Sequence, residues 1–424
     1  MRITSATYYK EYAKSVQQLH SDLNTTMQQV ETGRKYSSAK ESPLAYYSGK
    51  KLDNLYNDAE TKDTMISDVK NRLYQQEQGA LAIQSDMRTI NANLLKMQND
   101  SSNGQETTID TYTKDFEQRL QSIANTLNFT YENFYVFGGN DATTVPFTLD
   151  PSVEGGNADD LSYTLNFSHK FPGESDTVTT MSMKYTVAME DSADGTVKKG
   201  DIQIAYSGKR VTYDADGKET ATETLDSDAT LDYILRAMEE EGRMSLGYGS
   251  LENRETLPDT FTGGLNMLTN ISADGLKAMV KKDGADAAKA EITRQLKQTP
   301  IALTSKAIIT STRLINAKSR HSDDEREIKE QYTKDIADVI GKWDACEQRV
   351  SSTYRELGMK QAFLEDTQTK LGIVKDTLQK QYDDKLGVDE YQAITKMYSQ
   401  QYAYQAALKV GSNLMQSSLF DFVK

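Results

Sequence analysis

Leu52, Leu55, Ala59, Lys62, Ile66, Val69, Leu73, Gln76, Ala80, Ile83, Met87, Ile90, Leu94 and Met97 follow one another at alternating steps of three and four residues. Only Lys62 and Gln76 break the apolar run. Positions three and four apart share one face of an α-helix, so this stretch predicts a narrow seam of coiled-coil kind rather than a broad globular face. At about 1.5 Å per residue such a helix would be roughly 65–70 Å long, more than a compact domain needs. A matching seam lies towards the other end, in Ile336, Val339, Trp343, Cys346, Val350, Thr353, Leu357, Lys360, Leu364, Thr367, Leu371, Val374 and Leu378. The two seams predict an elongated helical coiled-coil rod built from both chain ends, with the middle of the chain inserted between them.

Composition agrees with that expectation. Of 424 residues, 37% are apolar and 26% charged, a balance that suits helices burying one stripe and solvating the rest. The net charge of −14 argues against binding to nucleic-acid phosphates, which needs clustered Lys and Arg. Cys346 is the only cysteine, so no intramolecular disulfide can form, and its place on the seam reads as a small buried hydrophobe. No run of 18 apolar residues suggests membrane insertion, and the first residues do not read as a signal peptide. Export by a route without a cleaved signal remains compatible with the sequence.

Shorter seams flank the long ones. Tyr12, Val16, Leu19, Leu23, Thr26 and Val30 form the first, which ends at Gly33. Ser42-Pro43 reads as an N-cap followed by proline at the first helical position, opening a helix that runs to about Asn99. Asn103-Gly104 marks a turn, and Ile109, Tyr112, Phe116, Leu120, Ile123 and Leu127 define a third helix. From Tyr135 the pattern becomes a short strand, a Gly138-Gly139 turn and a second extended piece at Val145-Pro146-Phe147. Alternating runs at 162–171, 178–189 and 202–213 predict strands, separated by Pro172-Gly173, Asp194-Gly195 and Asp216-Gly217. A helix is expected over 228–241, with Leu231, Ile234, Leu235 and Met238 on one face. Residues 242–300 break into short pieces, and 301–315 fits helix or strand. Ser322-Asp323-Asp324-Glu325 reads as a capping box. Asp389 reads as the N-cap of a last helix over about 390–416.

Catalytic patterns are lacking. The sequence has no His-Glu-x-x-His, P-loop, Gly-x-Ser-x-Gly or zinc-spaced cysteine pair, and it calls for no cofactor. His321 beside Ser322-Asp323-Asp324 reads as a solvated helix start rather than a metal cluster. Asp214-Ala215-Asp216-Gly217 lacks the remaining ligands of a calcium loop and reads as a tight turn. Tyrosines crowd the last helix at Tyr391, Tyr398, Tyr402 and Tyr404, where a ring with a polar tip suits either a subunit interface or a half-buried face.

Four places resemble the flagellin-like axial proteins of the bacterial flagellum: Met1-Arg2-Ile3; Glu31-Thr32-Gly33-Arg34-Lys35 through Ser42-Pro43-Leu44-Ala45; Asn133-Phe134-Tyr135-Val136-Phe137-Gly138-Gly139 with Val145-Pro146-Phe147; and Gln401 to Lys409 with Ser418-Leu419-Phe420-Asp421-Phe422. Glu41-Ser42 stands where the family usually has an acidic pair. The ending resembles the hook–filament junction branch of that family more than flagellin itself, which more often ends Leu-Ser-Leu-Leu. The resemblance spans roughly 1–150 and 325–424. It implies a structural subunit, not an enzyme, exported without a cleaved signal peptide to the extracellular flagellum. Implied partners are hook-associated protein 1, flagellin, copies of the same chain in a ring and an export chaperone. A flagellin subunit is the alternative, and a ligand-binding or adhesin domain on a helical stalk is a third reading.

The expected fold is therefore α+β. Residues 1–40 and 388–424 would be terminal helices for axial assembly, ordering when they meet neighbours. Residues 41–150 and 320–387 would form the rod with a short β-hairpin, and 151–319 a β-rich outer domain with some helix. The expected assembly residues are Tyr12, Val16, Leu19, Leu23, Val30, Tyr391, Ile394, Tyr398, Tyr402, Leu408, Leu419, Phe420 and Phe422.

Overall fold

A computed structural model describes residues 5–36, 38–100, 106–141, 143–154, 158–193, 195–240, 242–245, 256–322 and 324–421. The fold is α+β, with long helices from both ends of the chain and an antiparallel sheet in the middle of the sequence. The chain divides into a terminal unit, Met1–Thr64 with Asp366–Lys424, and a central unit, Met65–Glu365. Helices α2 (Pro43–Asp100) and α9 (Glu325–Leu386) each contribute to both.

In the central unit the two seams meet. Ile66, Leu73, Ala80, Ile83, Met87, Ile90, Leu94 and Met97 of α2 are fully buried, as are Val339, Trp343, Val350, Leu357 and Leu364 of α9. Polar contacts fix the pairing as antiparallel. Lys70 reaches Glu365 at 3.1 Å, Gln361 donates to Glu77 at 2.8 Å, Gln84 to Ser351 at 2.6 Å, and Arg88 pairs with Glu347 at 3.2 Å. The Trp343 indole N–H donates to the Met87 carbonyl at 3.2 Å, and the Cys346 thiol lies buried one turn further on. Burial pushes that thiol's pKa up to about 12. Gln76, the polar break in the seam, is wholly buried because its amide donates to the carbonyls of Val136 and, at 3.0 Å, Thr262.

Helix α3 (Glu106–Thr126) is tied to α2 by Asn93 donating to Asp115 at 2.8 Å and by Arg119 with Asp86 at 2.9 Å. The stretch that fitted helix or strand is a helix, α8 (Pro300–Arg320), capped by the Thr299 hydroxyl. It is buried on every side from Pro300 to Ser311, so no amphipathic stripe exists to mark it. His321 closes α8 in the left-handed region at φ 51°. The next helix starts at Glu325, the last residue of the expected Ser322–Glu325 box. Ile328 bonds the Asp324 carbonyl, which makes Asp324 the capping position, and Asp323 lies outside the described residues.

Five strands form an antiparallel meander in chain order: β3 (Phe147–Val153), β4 (Leu161–His169), β5 (Thr177–Val187), β6 (Ile202–Tyr213) and β7 (Glu219–Leu225). The three alternating runs became β4 to β6, and β3 and β7 add an edge on each side. Leu165, Phe167, Met181, Met183 and Tyr185 fill the covered face, over which α4 (Ser227–Glu239) packs through Ile234, Leu235 and Met238. Gly173 and Gly217 hold positive φ at two of the expected turns; Asp194 of the third lies outside the described residues.

The short hairpin differs from the expected one. Strands β1 (Thr130–Tyr131) and β2 (Phe134–Tyr135) turn at Glu132 and Asn133, both at positive φ, and not at Gly138-Gly139. Gly139 instead takes a left-handed conformation, φ 66°, that a glycine adopts without strain. Asn128 clamps Phe147 through both ends of its amide, at 2.7 and 3.0 Å. The difficult stretch after α4 contains a strand pair, β8 (Gly242–Ser245) and β9 (Thr256–Phe261), and three short helices, α5 (Gly264–Thr269), α6 (Ala273–Asp283) and α7 (Ala285–Leu296). Asn103-Gly104 lies outside the described residues.

In the terminal unit α1 (Ser5–Thr32) lies antiparallel to α10 (Glu390–Asp421). Helix α1 stops at Gly33, φ 65°, and α10 starts from Asp389, whose carboxylate accepts from the Gln392 N–H at 3.0 Å as expected. The start of α10 is stitched to the end of α1: Lys35 N–H donates to the Leu386 carbonyl at 2.7 Å and Val388 N–H to the Gly33 carbonyl at 3.0 Å. Within this unit α2 and α9 again run antiparallel. Lys375 binds Glu60 at 2.5 Å and Asp63 at 3.2 Å, and the Glu60 hydrogen bond is the largest cause raising its pKa. Leu52, Ala59 and Leu371 of the seams are buried here, but Leu55 and Val374 are exposed.

Candidate assembly surface

Among the described residues no group of three His, Cys, Asp or Glu could hold a metal ion. No helix among them is long and apolar enough to cross a membrane. The feature that stands out is apolar surface in the terminal unit.

Helix α10 has two opposite faces. The inner one, Ala393, Tyr404, Ala407 and Gly411, meets α1. Its small residues let the helices approach closely: the Tyr12 hydroxyl donates to the Ala407 carbonyl and occupies the place a Cβ on Gly411 would take. His20 of α1 packs its ring 5.4 Å from that of Tyr404. The outer face carries Tyr391, Ile394, Tyr398 and Tyr402, at helical spacing and with exposures of 81, 39, 54 and 74%. These four point away from α1.

The sequence-predicted residues thus separate into groups. Tyr12, Val16 and Leu408 come together with His20 and Tyr404 around a shallow open groove between α1 and α10. Leu23 is buried, while Leu19 and Val30 are half-buried along α1. Tyr391, Ile394, Tyr398 and Tyr402 form the outer stripe. Leu419 and Phe420 lie within the helical span of α10, and Phe422 lies outside the described residues. Ala393, Ala407 and Gly411 were missed; alanine and glycine at steps of three and four are the signal for close helix approach, but they carry no apolar weight in a search for seams.

Elsewhere in the unit Tyr8, Met27, Leu44, Tyr47, Leu55 and Ile373 are also exposed. More than half of the exposed large apolar side chains among the described residues belong to this unit, which holds under a third of the chain. Its own core is thin: Leu23, Leu52, Ala59, Leu371, Leu386 and Ala393 are its buried apolar side chains among the described residues. Surplus exposed apolar area beside so small a core makes this the candidate interaction surface of the chain.

The class this defines is an α+β protein whose two chain ends pair as helices and leave apolar side chains exposed. Neither a family model nor the sequence of any curated protein matches the chain. Among solved structures, one from Vibrio parahaemolyticus, whose description as a flagellar hook-associated protein is provisional, aligns over 80% of this chain and 100% of its own, with a TM-score of 0.34 and 11% identity. Similarity at that level carries no argument about function.

Proposed function

We propose that the chain is a structural subunit of the bacterial flagellum, placed where the hook joins the filament. The observation that carries the reading is the outer stripe of α10, Tyr391, Ile394, Tyr398 and Tyr402, on a unit with too few buried side chains to need it internally. The resemblance of both chain ends to axial proteins, and of the Ser-Leu-Phe-Asp-Phe ending to the junction branch, supplies the setting. In this reading copies of the chain form a ring, with hook-associated protein 1 on one side and flagellin on the other. An export chaperone covers the subunit before it leaves the cell by a route that cleaves no signal.

The test uses the double variant Tyr398→Ser/Tyr402→Ser, whose side chains are exposed and leave the monomer fold alone. Cells carrying it should build hooks without filaments, while the purified variant unfolds at the same urea concentration as the parent. Normal filaments would refute the assembly surface. A labelled copy separates junction subunit from flagellin: signal confined to one point at the filament base supports the first, signal along the whole filament the second.

A further inference from the structure

The central unit holds a cavity of about 260 Å³ where the end of α4, the turn from β9 into α5, the start of α6 and α9 come together. Glu240, Phe261, Asn266, Asn270, Ser352 and Glu356 line it. Its volume falls just below the range of about 300–1,000 Å³ usual for small-molecule sites, so it has room for a single ring and not for a chain of them.

The walls are rich in acceptors. Glu240 takes the Nε2–H of the buried His169 on one carboxylate oxygen, at 3.0 Å, because an ionised carboxylate can only accept. Glu356 pairs one oxygen with Lys360 at 2.9 Å. In each carboxylate the second oxygen has no partner among the described residues. Asn266 gives both amide hydrogens to carbonyls, those of Met238 and Ile271, each at 2.9 Å, so its side chain can only accept from a ligand. A group that enters this cavity must therefore bring several hydrogen-bond donors, since acceptors shut away from water without a donor are costly.

Ammonium compounds and polyols both carry such donors, and the charges around the cavity separate them. Lys360 already compensates Glu356, and the Phe261 ring already carries a cation. The Arg72 guanidinium lies 3.9 Å from the centre of that ring, and burial alone lowers its pKa, to about 10, so it stays charged at neutral pH. A second cation at Phe261 would meet like charge. A sugar ring meets neither obstacle: its hydroxyls supply the donors, and its apolar C–H face suits the aromatic ring.

We propose that this cavity binds one neutral sugar ring, with hydroxyls donating to Glu240, Glu356 and Asn266 and a C–H face against Phe261. The site belongs to the central unit and is independent of the flagellar reading.

Saturation-transfer NMR on the full chain tests it, with glucose, galactose, mannose and N-acetylglucosamine as separate millimolar probes. At least one should receive transfer from the parent chain. Glu356→Ala removes an acceptor at a half-buried position, and Ser352→Phe fills the cavity; each should weaken binding by about tenfold or more. Urea unfolding run beside the NMR identifies a variant that has lost its fold, and the other variant then decides. Absence of transfer to all four sugars, binding unchanged in a folded variant, or stronger transfer to n-butylammonium than to any sugar would each overturn the proposal.

Discussion

Replacing Lys306 by methionine probes a charge on α8, in the stretch from Pro300 to Ser311 that is buried all round. Lys306 is 3% exposed on α8, with its ammonium 2.7 Å from Asp338 and 3.5 Å from Asp335 on α9. Asp335 is itself buried and accepts from Gln331 at 3.0 Å, and Gly200 passes so close that a Cβ would collide with its carboxylate. Burial raises the Asp335 pKa, and Lys306 opposes that rise. Deleting one partner of a buried pair costs about 3–5 kcal/mol, because the other charge is left without compensation. Asp338 keeps Lys342 at 2.8 Å and Asp335 keeps Gln331, so the loss should fall near the lower bound, about 3 kcal/mol at pH 7. Without the ammonium, the folded-state pKa of Asp335 rises further above its unfolded value. The folded variant then binds a proton more readily than the unfolded chain, so its deficit against the parent should shrink as the pH falls from 7 to 5. Urea unfolding followed by the fluorescence of Trp343, the single tryptophan and a buried member of this unit, reads the change directly. Adding Asp335→Asn, which can still accept from Gln331, should recover more than half of the loss. A deficit below about 1 kcal/mol, or one that does not vary with pH, would refute the account of a buried pair.

Three other outcomes follow from single sites. Cys346, buried and with its pKa pushed up to about 12, should resist thiol reagents at pH 8 in the folded protein and react fully in urea; modification of the native chain would show that the seam opens. Gly49 lies where a Cβ would stand 1.8 Å from Leu386, so Gly49→Leu should displace Leu386 and cost about 1–3 kcal/mol in the terminal unit. Faster amide exchange at Lys35 and Val388, whose bonds stitch that crossing, is the readout, and unchanged protection would count against it. Burial alone would raise the pKa of Asp141, but hydrogen bonds from Thr144, Thr143 and Lys170 outweigh it and hold the carboxyl below its usual range. A depressed folded pKa gives stability that is present at neutral pH and lost as the pH falls through it. Asp141→Asn should therefore flatten the acid side of the stability curve between about pH 5 and pH 2, and an unaltered acid limb would contradict this.

The long seams were legible because a coiled-coil stripe is a local pattern, read without knowing what covers it. Its exceptions depend on neighbours. Gln76 is polar yet fully buried, since two carbonyls distant in sequence accept from its amide; Leu55 and Val374 are apolar and on the seam yet exposed. Helix α8 hid for the opposite reason, being covered all round. The hairpin turn went to Glu132-Asn133 because two consecutive left-handed residues close a two-residue turn, while Gly139 serves a separate left-handed bend after the hairpin. The strands β4 to β6 alternate because one face is covered. Strand β7 does not, because both its faces meet solvent, and it therefore escaped notice.

The same reasoning explains why the tyrosine face of α10 read as either an interface or a half-buried side. A helix with one apolar stripe declares its buried side, but one with apolar residues on opposite sides shows little net amphipathicity and needs a partner for each. The inner partner is α1, met through Ala393, Ala407 and Gly411. The outer stripe has no partner among the described residues of its own unit, and its chemistry suits a subunit that must first exist alone. Tyrosine exposes a ring but keeps a hydroxyl in water, so Tyr391, Tyr398 and Tyr402 make a stripe less adhesive in the free chain than leucine or phenylalanine would be. Once covered, the same rings supply large contact area with few rotatable bonds to immobilise. Replacing all three by leucine should then leave the isolated helix pair intact and drive the free chain to aggregate, a result the serine variants should not give. Equal solubility of leucine and tyrosine chains would show that the polar tips do not hold the subunit apart before assembly.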